Sequence, residues 1–321
     1  RLEAATAEVV ATEELRRNVM VTLSAEVARL YVEWRGTRDR LAIAQRNVDA
    51  PQVTYELTVV RADAGLATQL DVDRQQTTLA TSEAAIPALA AAEARTLHRL
   101  GVLLGTDPGS IAAEFASLSP REFFIPDAGA GVPSELLKRR PDVRAAEAYI
   151  AAAAARDGAA RTDLFPRITL TGQMGRQGTS FAGLSLGAGN FFGIGPTLQL
   201  PVFSGGRIRA NIAAENARLE QARIQYIQQV LSALEETENA LSGLREERDR
   251  TQKLETAVAA SKEAVELARE LYLKGLEDFL AVLDTERQLY AAEDALAESR
   301  TTLARQSVAL FKALGGGWHS D

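Results

Sequence analysis

Apolar residues recur at every third or fourth position between Arg207 and Leu314, as they do along one face of an α-helix. No proline interrupts this stretch, and its only glycines are Gly243 and Gly275. The pattern predicts one helix of roughly 100 Å that ends near Lys274, at 1.5 Å per residue. Gly275 then marks a turn, and a second helix returns to Leu314. Such a helical hairpin is too long to fold into a globule, and its simplest interpretation is a structural coiled coil.

The same pattern occurs earlier in the chain at an offset of 210 residues. Residues 20–105 align with residues 230–315 without a gap, and Gly65-Leu66 falls opposite Gly275-Leu276. Both copies also end in a Leu-Gly pair. Two alanine-rich helices can align loosely by chance, but a turn and a terminal pair seldom fall in one register. The sequence therefore predicts a duplication of one helix–turn–helix hairpin.

Between the two copies the period changes from three or four residues to two. From Arg167 to Phe203, apolar residues alternate with polar residues or glycine in two runs, which predicts two amphipathic β-strands. Each run has about the ten residues that a tilted strand needs to cross a bilayer. Segment 178–189 between the runs is rich in Gly and Ser and predicts an exposed loop. We expect lipid to contact Ile168, Leu170, Ile194, Leu198 and Leu200, and Thr169, Gln173, Thr197 and Gln199 to line a lumen.

An amphipathic hairpin that packs on the helices would show the same alternation, so a membrane hairpin and a packed hairpin both remain open from the pattern alone. A lone hairpin cannot span a membrane, because its edges would leave backbone groups unpaired in lipid. The 210-residue offset places the partner of Arg207 just before Arg1. We therefore expect an N-terminal helix and a first β-hairpin to be missing from the sequence as given. Two hairpins from each of three chains would close a barrel of twelve strands.

Composition excludes several classes of function. The 321 residues carry a net charge of −7 without a dominant Lys/Arg cluster, which argues against nucleic-acid binding. Cysteine is absent, which excludes disulfides and cysteine-based metal sites for these residues. A G-x-S-x-G match at Gly183 lies between two predicted strands, and the only histidine after it is His319. The match lacks the strand–turn–helix context of hydrolases. We expect no enzyme activity and no cofactor.

Five segments together carry a resemblance to a known family. They are "ELLKRRPDVRAAE" from Glu135, "LFPRITL" from Leu164, "PVFSGGRIRANI" from Pro201, "YLKGLEDFLAVLDTERQLYAAEDAL" from Tyr272 and "LFKALGGGW" from Leu310. In this order, over essentially the whole chain, they resemble TolC-like outer-membrane efflux proteins, most closely the lipoprotein branch that serves resistance-nodulation-division (RND) pumps.

The resemblance implies a mainly α-helical protein with long coiled-coil hairpins and a transmembrane β-hairpin that contributes to a shared trimeric β-barrel. It implies a homotrimer in the outer membrane, in contact with its lipid, whose helical tunnel crosses the periplasm. It also implies two partners, a periplasmic adaptor (membrane fusion protein) and an inner-membrane RND transporter.

The resemblance also implies roles for particular residues. In the family, residues that follow the Gly-Leu turn close the periplasmic end of the tunnel, which here indicates Leu280, Asp284 and Arg287. Tyr272 matches a tyrosine that bonds to the neighbouring coil, and Asp71 is its expected acceptor. The tips Gly65-Leu66 and Gly275-Leu276 match the surface that docks the adaptor. The first copy reads "LDVDRQQ" where the second reads "LAVLDTE", so the gate is expected on the second copy only.

These patterns divide the chain into six segments: a first helical hairpin at 1–105, a linker at 106–132, a helix at 133–165, the β-hairpin at 166–205, a second helical hairpin at 206–315 and a tail at 316–321. Two alternatives to an efflux duct remain. A type I secretion duct would share the fold but pass polypeptides. A periplasmic adaptor or scaffold coiled coil would have no membrane strands.

Overall fold

The computed structural model describes residues 1–118, 139–181 and 184–316, and the side chains of 179–188 lie outside this description. The elements in chain order are helices α1 (Leu2–Asp63), α2 (Gln69–Leu103), α3 (Ala112–Ala116) and α4 (Pro141–Thr162), strands β1 (Arg167–Phe181) and β2 (Leu184–Gln199), and helices α5 (Arg207–Leu273) and α6 (Phe279–Ala313). Within the described ranges, no helix is both long enough and apolar enough to cross a membrane.

The helix bounds confirm the predicted duplication. Adding 210 to the last residue of α1, Asp63, gives the last residue of α5, Leu273. The same addition converts both bounds of α2 into those of α6. The turns agree in detail, because Leu66 N–H donates to the Arg61 carbonyl (2.8 Å) and Leu276 N–H donates to the Leu271 carbonyl (3.0 Å). Each chain reversal therefore uses the same helix-ending motif.

That motif depends on a glycine in the left-handed region of backbone space. Gly65 has φ of 73° and Gly275 has φ of 68°. The N–H of each donates to the carbonyl three residues earlier, which completes a Schellman motif at the end of the helix. A residue with a Cβ is strained in this conformation, so the glycines terminate α1 and α5 at equivalent points.

The two helical hairpins have related cores within one compact unit, formed by residues 17–140 and 232–321. In the first hairpin, Leu30, Trp34 and Leu100 are buried, and Trp34 is only 1% exposed. The residues at the 210-residue offset, Ala240, Leu244 and Leu310, form the core of the second hairpin. Phe115 of α3 packs edge-on against Trp34, with ring centroids 5.0 Å apart. Full burial of a large apolar side chain stabilises by about 1.5–3 kcal/mol.

The other compact unit consists of residues 1–16 and 141–231. Here α4 packs Ala153 against Leu219 and Ala222 of α5. An ion pair of 2.8 Å joins Arg144 of α4 to Glu14 of α1, whose side chain is buried. The small alanines of α4 allow this close helix packing.

Strands β1 and β2 form an antiparallel two-stranded sheet in this second unit. Ile168 lies opposite Leu198, and Met174 lies opposite Phe192. The predicted strands are therefore confirmed. The predicted loop at 178–189 is wrong for residues 178–181 and 184–189, which lie in the strands, and residues 182–183 lie outside the described residues. Pairing continues past Gly178, through a register irregularity, to Phe181 and Leu184. Glycine and serine favour loops, but their backbone groups can still pair in a ladder, so composition alone placed the strand ends too early.

Several predicted segments lie partly outside the described residues. Helix α4 occupies Pro141–Thr162 of the predicted helix at 133–165, and residues 133–138 of that segment fall outside the described ranges. The short helix α3 lies in the predicted linker at 106–132, where residues 119–132 fall outside the described ranges. Residues 317–321 of the predicted tail also fall outside them.

Candidate functional site

The tips of the two helical hairpins lie side by side. Arg61 Nη1, near the end of α1, donates a hydrogen bond of 3.2 Å to the hydroxyl of Tyr272, near the end of α5. The Tyr272 ring also packs on Phe279 across its own turn, with centroids 5.1 Å apart. Leu66 and Leu276 project from the two turns and are 71% and 69% exposed. Each turn therefore carries one largely exposed leucine.

Within one chain, Asp71 caps the start of α2. Its carboxylate accepts hydrogen bonds from the Thr68 hydroxyl (2.7 Å) and the Thr68 backbone N–H (3.0 Å). Together with the reciprocal bond from Asp71 N–H to the Thr68 hydroxyl, these contacts form a capping box at the start of α2. The bonds from Thr68 hold the pKa of Asp71 below its usual range.

The expected hydrogen bond between Tyr272 and Asp71 is therefore not made within the described part of one chain, where Arg61 contacts the tyrosine. Thr68 and Asp71, at a spacing of three, are the sequence signal for this capping box. A bond between Tyr272 of one chain and Asp71 of another stays a prediction.

The three expected gate residues share one exposed face of α6. Arg287 Nη2 lies 3.3 Å from Asp284 Oδ1, and these side chains are 78% and 55% exposed. Gln288 Nε2 donates to the other carboxylate oxygen of Asp284 at 2.7 Å. Leu280, one turn earlier, is 53% exposed. In a single chain this is a solvated ion pair of little energetic weight, so the structure places these residues together without assigning them a role.

The opposite face of α6 carries a charged contact that the sequence reasoning missed. Glu286 is buried, and its Oε1 accepts hydrogen bonds from Arg269 Nη2 (2.7 Å) and Nε (3.2 Å). The hydrogen bond to Glu286 is the main cause of a raised pKa for the Arg269 guanidinium. This pair connects α5 to α6 close to the second turn.

The "RRPDVRAAE" motif has a structural role in each compact unit. In one unit Arg140 is buried and donates to the Ala313 carbonyl (3.0 Å) and to Glu236 (2.8 Å). A cation near the last carbonyls of α6 is favourable because that end of a helix is partly negative. In the other unit Asp142 accepts from Gln229 Nε2 at 2.7 Å.

The β-hairpin presents one continuous apolar face, because residues that lie directly opposite in an antiparallel pair share a face. Ile168, Leu170, Ile194 and Leu198 are between 63% and 74% exposed. Thr169 and Thr197 pair on the other face, where Gln173 and Gln199 also lie. Leu200 is 55% exposed but follows the last residue of β2, so it lies just outside the ladder. Among the described residues, no group of three or more His, Asp or Glu side chains could hold a metal ion.

Comparison with known proteins accounts for this combination of helical hairpins and an exposed amphipathic strand pair. Residues 1–106 and 132–316 match the family described as outer membrane efflux protein. The chain belongs to the outer membrane efflux protein family.

Individual members of the outer membrane efflux protein family resemble the chain over nearly its full length. Outer membrane protein OprJ of Pseudomonas aeruginosa is 34% identical over 318 residues, which is 98% of this chain. Pyoverdine export outer membrane protein OpmQ of the same organism is 36% identical over 323 residues, or 97% of this chain. The solved structure of the outer-membrane channel OprN superposes with a TM-score of 0.89 at 37% identity.

The known proteins are longer than this chain. The superposition on OprN includes 99% of this chain but only 71% of the OprN chain. It spans just under two thirds of the curated relatives, 66% of OprJ and 65% of OpmQ. The names of these family members refer to outer membrane proteins, export and channels.

Proposed function

We propose that the full-length protein is the outer-membrane exit duct of a tripartite efflux pump and passes small molecules from the periplasmic side to the exterior. The observation that carries this proposal is the close superposition on the outer-membrane channel OprN, at 37% identity over 99% of the chain. It extends over both helical hairpins and the strand pair. A fold can host many functions, but here the fold, the family match and the sequence identity to OprN all indicate an outer-membrane channel.

The exposed apolar face of the hairpin supports a place in the outer membrane. A soluble protein seldom leaves such a continuous apolar surface uncovered. In a barrel shared by three copies of the chain, lipid would cover Ile168, Leu170 and Leu198, and the ladder edges would be paired. Thr169 and Thr197 would then line the lumen.

The second helical hairpin supplies a gate in this proposal. Around a threefold axis, three Leu280 side chains would form an apolar constriction. Three Asp284 carboxylates would form a negative ring that favours cations. Arg287 already contacts Asp284 and would partly neutralise the ring in a closed state. The duct does no chemistry, so the energy for export comes from its partner.

We propose two partners, a periplasmic adaptor (membrane fusion protein) and an inner-membrane RND transporter. The adjacent, exposed Leu66 and Leu276 offer the adaptor an apolar docking surface at the turns. The "RRPDVRAAE" and "LFKALGGGW" segments resemble the branch that serves small-molecule pumps and favour it over type I secretion. The exported compound is a separate question, since this chain is similar both to OprJ and to a pyoverdine exporter.

Extraction and conductance of the full-length protein test the duct directly. It should stay in the outer-membrane fraction after osmotic shock, require detergent for extraction and form pores in planar bilayers. Release by osmotic shock without detergent, together with silent bilayers, would instead indicate the periplasmic scaffold. In a matched pair of variants, Leu198→Arg should reduce both the membrane fraction and the pores, whereas Gln199→Arg should retain both.

A further inference from the structure

Three ion pairs connect α5 to α6, and they follow a regular spacing. Arg300 lies 2.9 Å from Glu255, Lys262 lies 3.4 Å from Glu293, and Arg269 lies 2.7 Å from Glu286. Successive positions differ by seven residues on α5 (255, 262, 269) and by seven on α6 (300, 293, 286). Seven residues are two helical turns in a coiled coil, so the three pairs lie along one seam.

The first helical hairpin lacks this series. Subtracting 210 from the residues of each pair gives Gln45 with Ala90, Gln52 with Glu83, and Val59 with Gln76, and none of these combinations is an ion pair. The same fold therefore forms without such pairs. The three pairs occur in the second hairpin, which also carries the proposed gate, and hairpin formation does not depend on them.

The pair nearest the turn is the most buried. The Glu286 side chain is 8% exposed, compared with 19% for Glu293 and 49% for Glu255. Arg269 donates two hydrogen bonds to one oxygen of Glu286, which fixes direction as well as distance. A buried carboxylate that loses its cation is strongly destabilised, whereas an exposed one is solvated by water.

Glu286 lies on the opposite side of α6 from the gate residues. At 100° per residue, Leu280, Asp284 and Arg287 lie within about 60° of one another. Val282 and Glu286 lie roughly 200–240° around the helix from Leu280 by the same rule. Both are buried: counting backbone and side chain together, Val282 is 4% exposed and Glu286 is 6% exposed. The Arg269–Glu286 pair therefore fixes the rotation of α6 about its own axis at the level of the gate.

We propose that Arg269 and Glu286 are positioning residues that hold the Leu280–Asp284–Arg287 face of α6 toward the tunnel axis and so keep the gate closed. Without the pair, Glu286 reaches water most easily when α6 turns, and that rotation carries Asp284 away from the axis. The inference rests on the proposed gate. It adds the residues that orient the gate without touching the transported molecule.

Charge-swap variants of the full-length protein in planar bilayers test this proposal. Arg269→Glu and Glu286→Arg should each raise the closed-state conductance, by about tenfold, because each breaks an ion pair whose carboxylate position is buried. The double variant Arg269→Glu/Glu286→Arg should return the conductance toward the wild-type value. As a control, Glu255→Arg, Arg300→Glu and their combination make the same charge changes on the most exposed pair. All three should conduct like wild type.

Two further variants separate the positioning role from a failure to assemble and from a failure of the gate itself. Arg269→Gln removes the cation without introducing a negative charge and leaves the buried Glu286 carboxylate unpaired, so it should raise the conductance even if a charge swap prevents assembly. Wild-type conductance in assembled Arg269→Gln and Arg269→Glu trimers, or no rescue in the double variant, would overturn the positioning role. Asp284→Ala tests the gate separately. If it changes cation selectivity while the Arg269 and Glu286 variants change nothing, the positioning role alone fails.

Discussion

At the scale of single residues, burial of Tyr290 gives the coil a sensitivity to alkaline pH. Burial, and secondarily the charge of Glu286 one turn before it, raises the pKa of Tyr290 to about 12. The folded state therefore holds this proton more tightly than the unfolded state, whose tyrosine titrates near pH 10. Its contribution to stability is complete below about pH 10 and is lost as pH rises toward 12.

We expect the thermal unfolding midpoint of the purified protein to fall between pH 10 and 12, with a shallower fall in Tyr290→Phe. Phenylalanine keeps the ring but has no proton to lose. Parallel pH profiles for the two proteins would show that Tyr290 is not responsible.

The turn glycines permit a second test at this scale. Gly65 and Gly275 have positive φ with open space around them, so alanine meets no clash but must adopt a strained backbone. We expect Gly275→Ala to destabilise the protein by about 1–2 kcal/mol in chemical unfolding. Gly158 in α4 also has open space but lies inside a helix. Gly158→Ala should be neutral or stabilising, by up to about 1 kcal/mol. Equal effects of the two substitutions would contradict the turn assignment.

At the scale of elements, the two faces of the β-hairpin should respond differently to the same substitution at neighbouring residues. Leu198 lies on the apolar face opposite Ile168, and Gln199 lies on the other face. Leu198→Arg should destabilise the assembled full-length protein by roughly 2–4 kcal/mol if the residue lies near the bilayer midplane. Gln199→Arg should be tolerated. Heat-stability of the trimer on gels measures both, and equal tolerance at the two positions would argue against a membrane hairpin.

The sequence allowed the elements to be predicted well, because long helices and alternating strands depend on local periodicity. The 210-residue offset located Gly65 and Gly275 and the equivalent ends of α1 and α5. The ends of β1 and β2 were placed wrongly, because Gly178 and its neighbours fit a loop or a ladder equally well by composition. Such ambiguity is resolved by pairing between strands, which a local pattern does not contain.

The site was harder to predict than the elements. Leu280, Asp284 and Arg287 could be placed on one helix face, but Asp71 proved to be part of a helix cap. The Arg269–Glu286 pair was missed for a physical reason. Charged residues at heptad spacing look like a solvated helix surface, and only the packing of α5 on α6 shows that Glu286 is buried.

At the scale of the whole molecule, the contact between neighbouring coils is a further prediction. We expect Tyr272 of one chain to donate a hydrogen bond to Asp71 of another in the closed duct. The Tyr272 hydroxyl can donate this bond while its oxygen still accepts from Arg61, and Asp71 must share its bonds to Thr68. The double variant Tyr272→Phe/Asp71→Ala should assemble normally but conduct more in planar bilayers. Thr68→Val removes only the side-chain cap and should leave conductance unchanged, and a conductance increase there would assign the effect to the cap.

The central claim is that three chains form a gated duct whose narrowest ring contains Asp284. Its most direct test is the reversal potential of the full-length protein in a planar bilayer under a salt gradient. The wild-type pore should select cations, because three Asp284 carboxylates face the axis in the proposed trimer. Asp284→Ala should shift the reversal potential toward zero without loss of assembly, while Glu255→Ala, at an exposed carboxylate farther from the turn, should not. Absence of pores, or a reversal potential that Asp284→Ala leaves unchanged, would contradict the account.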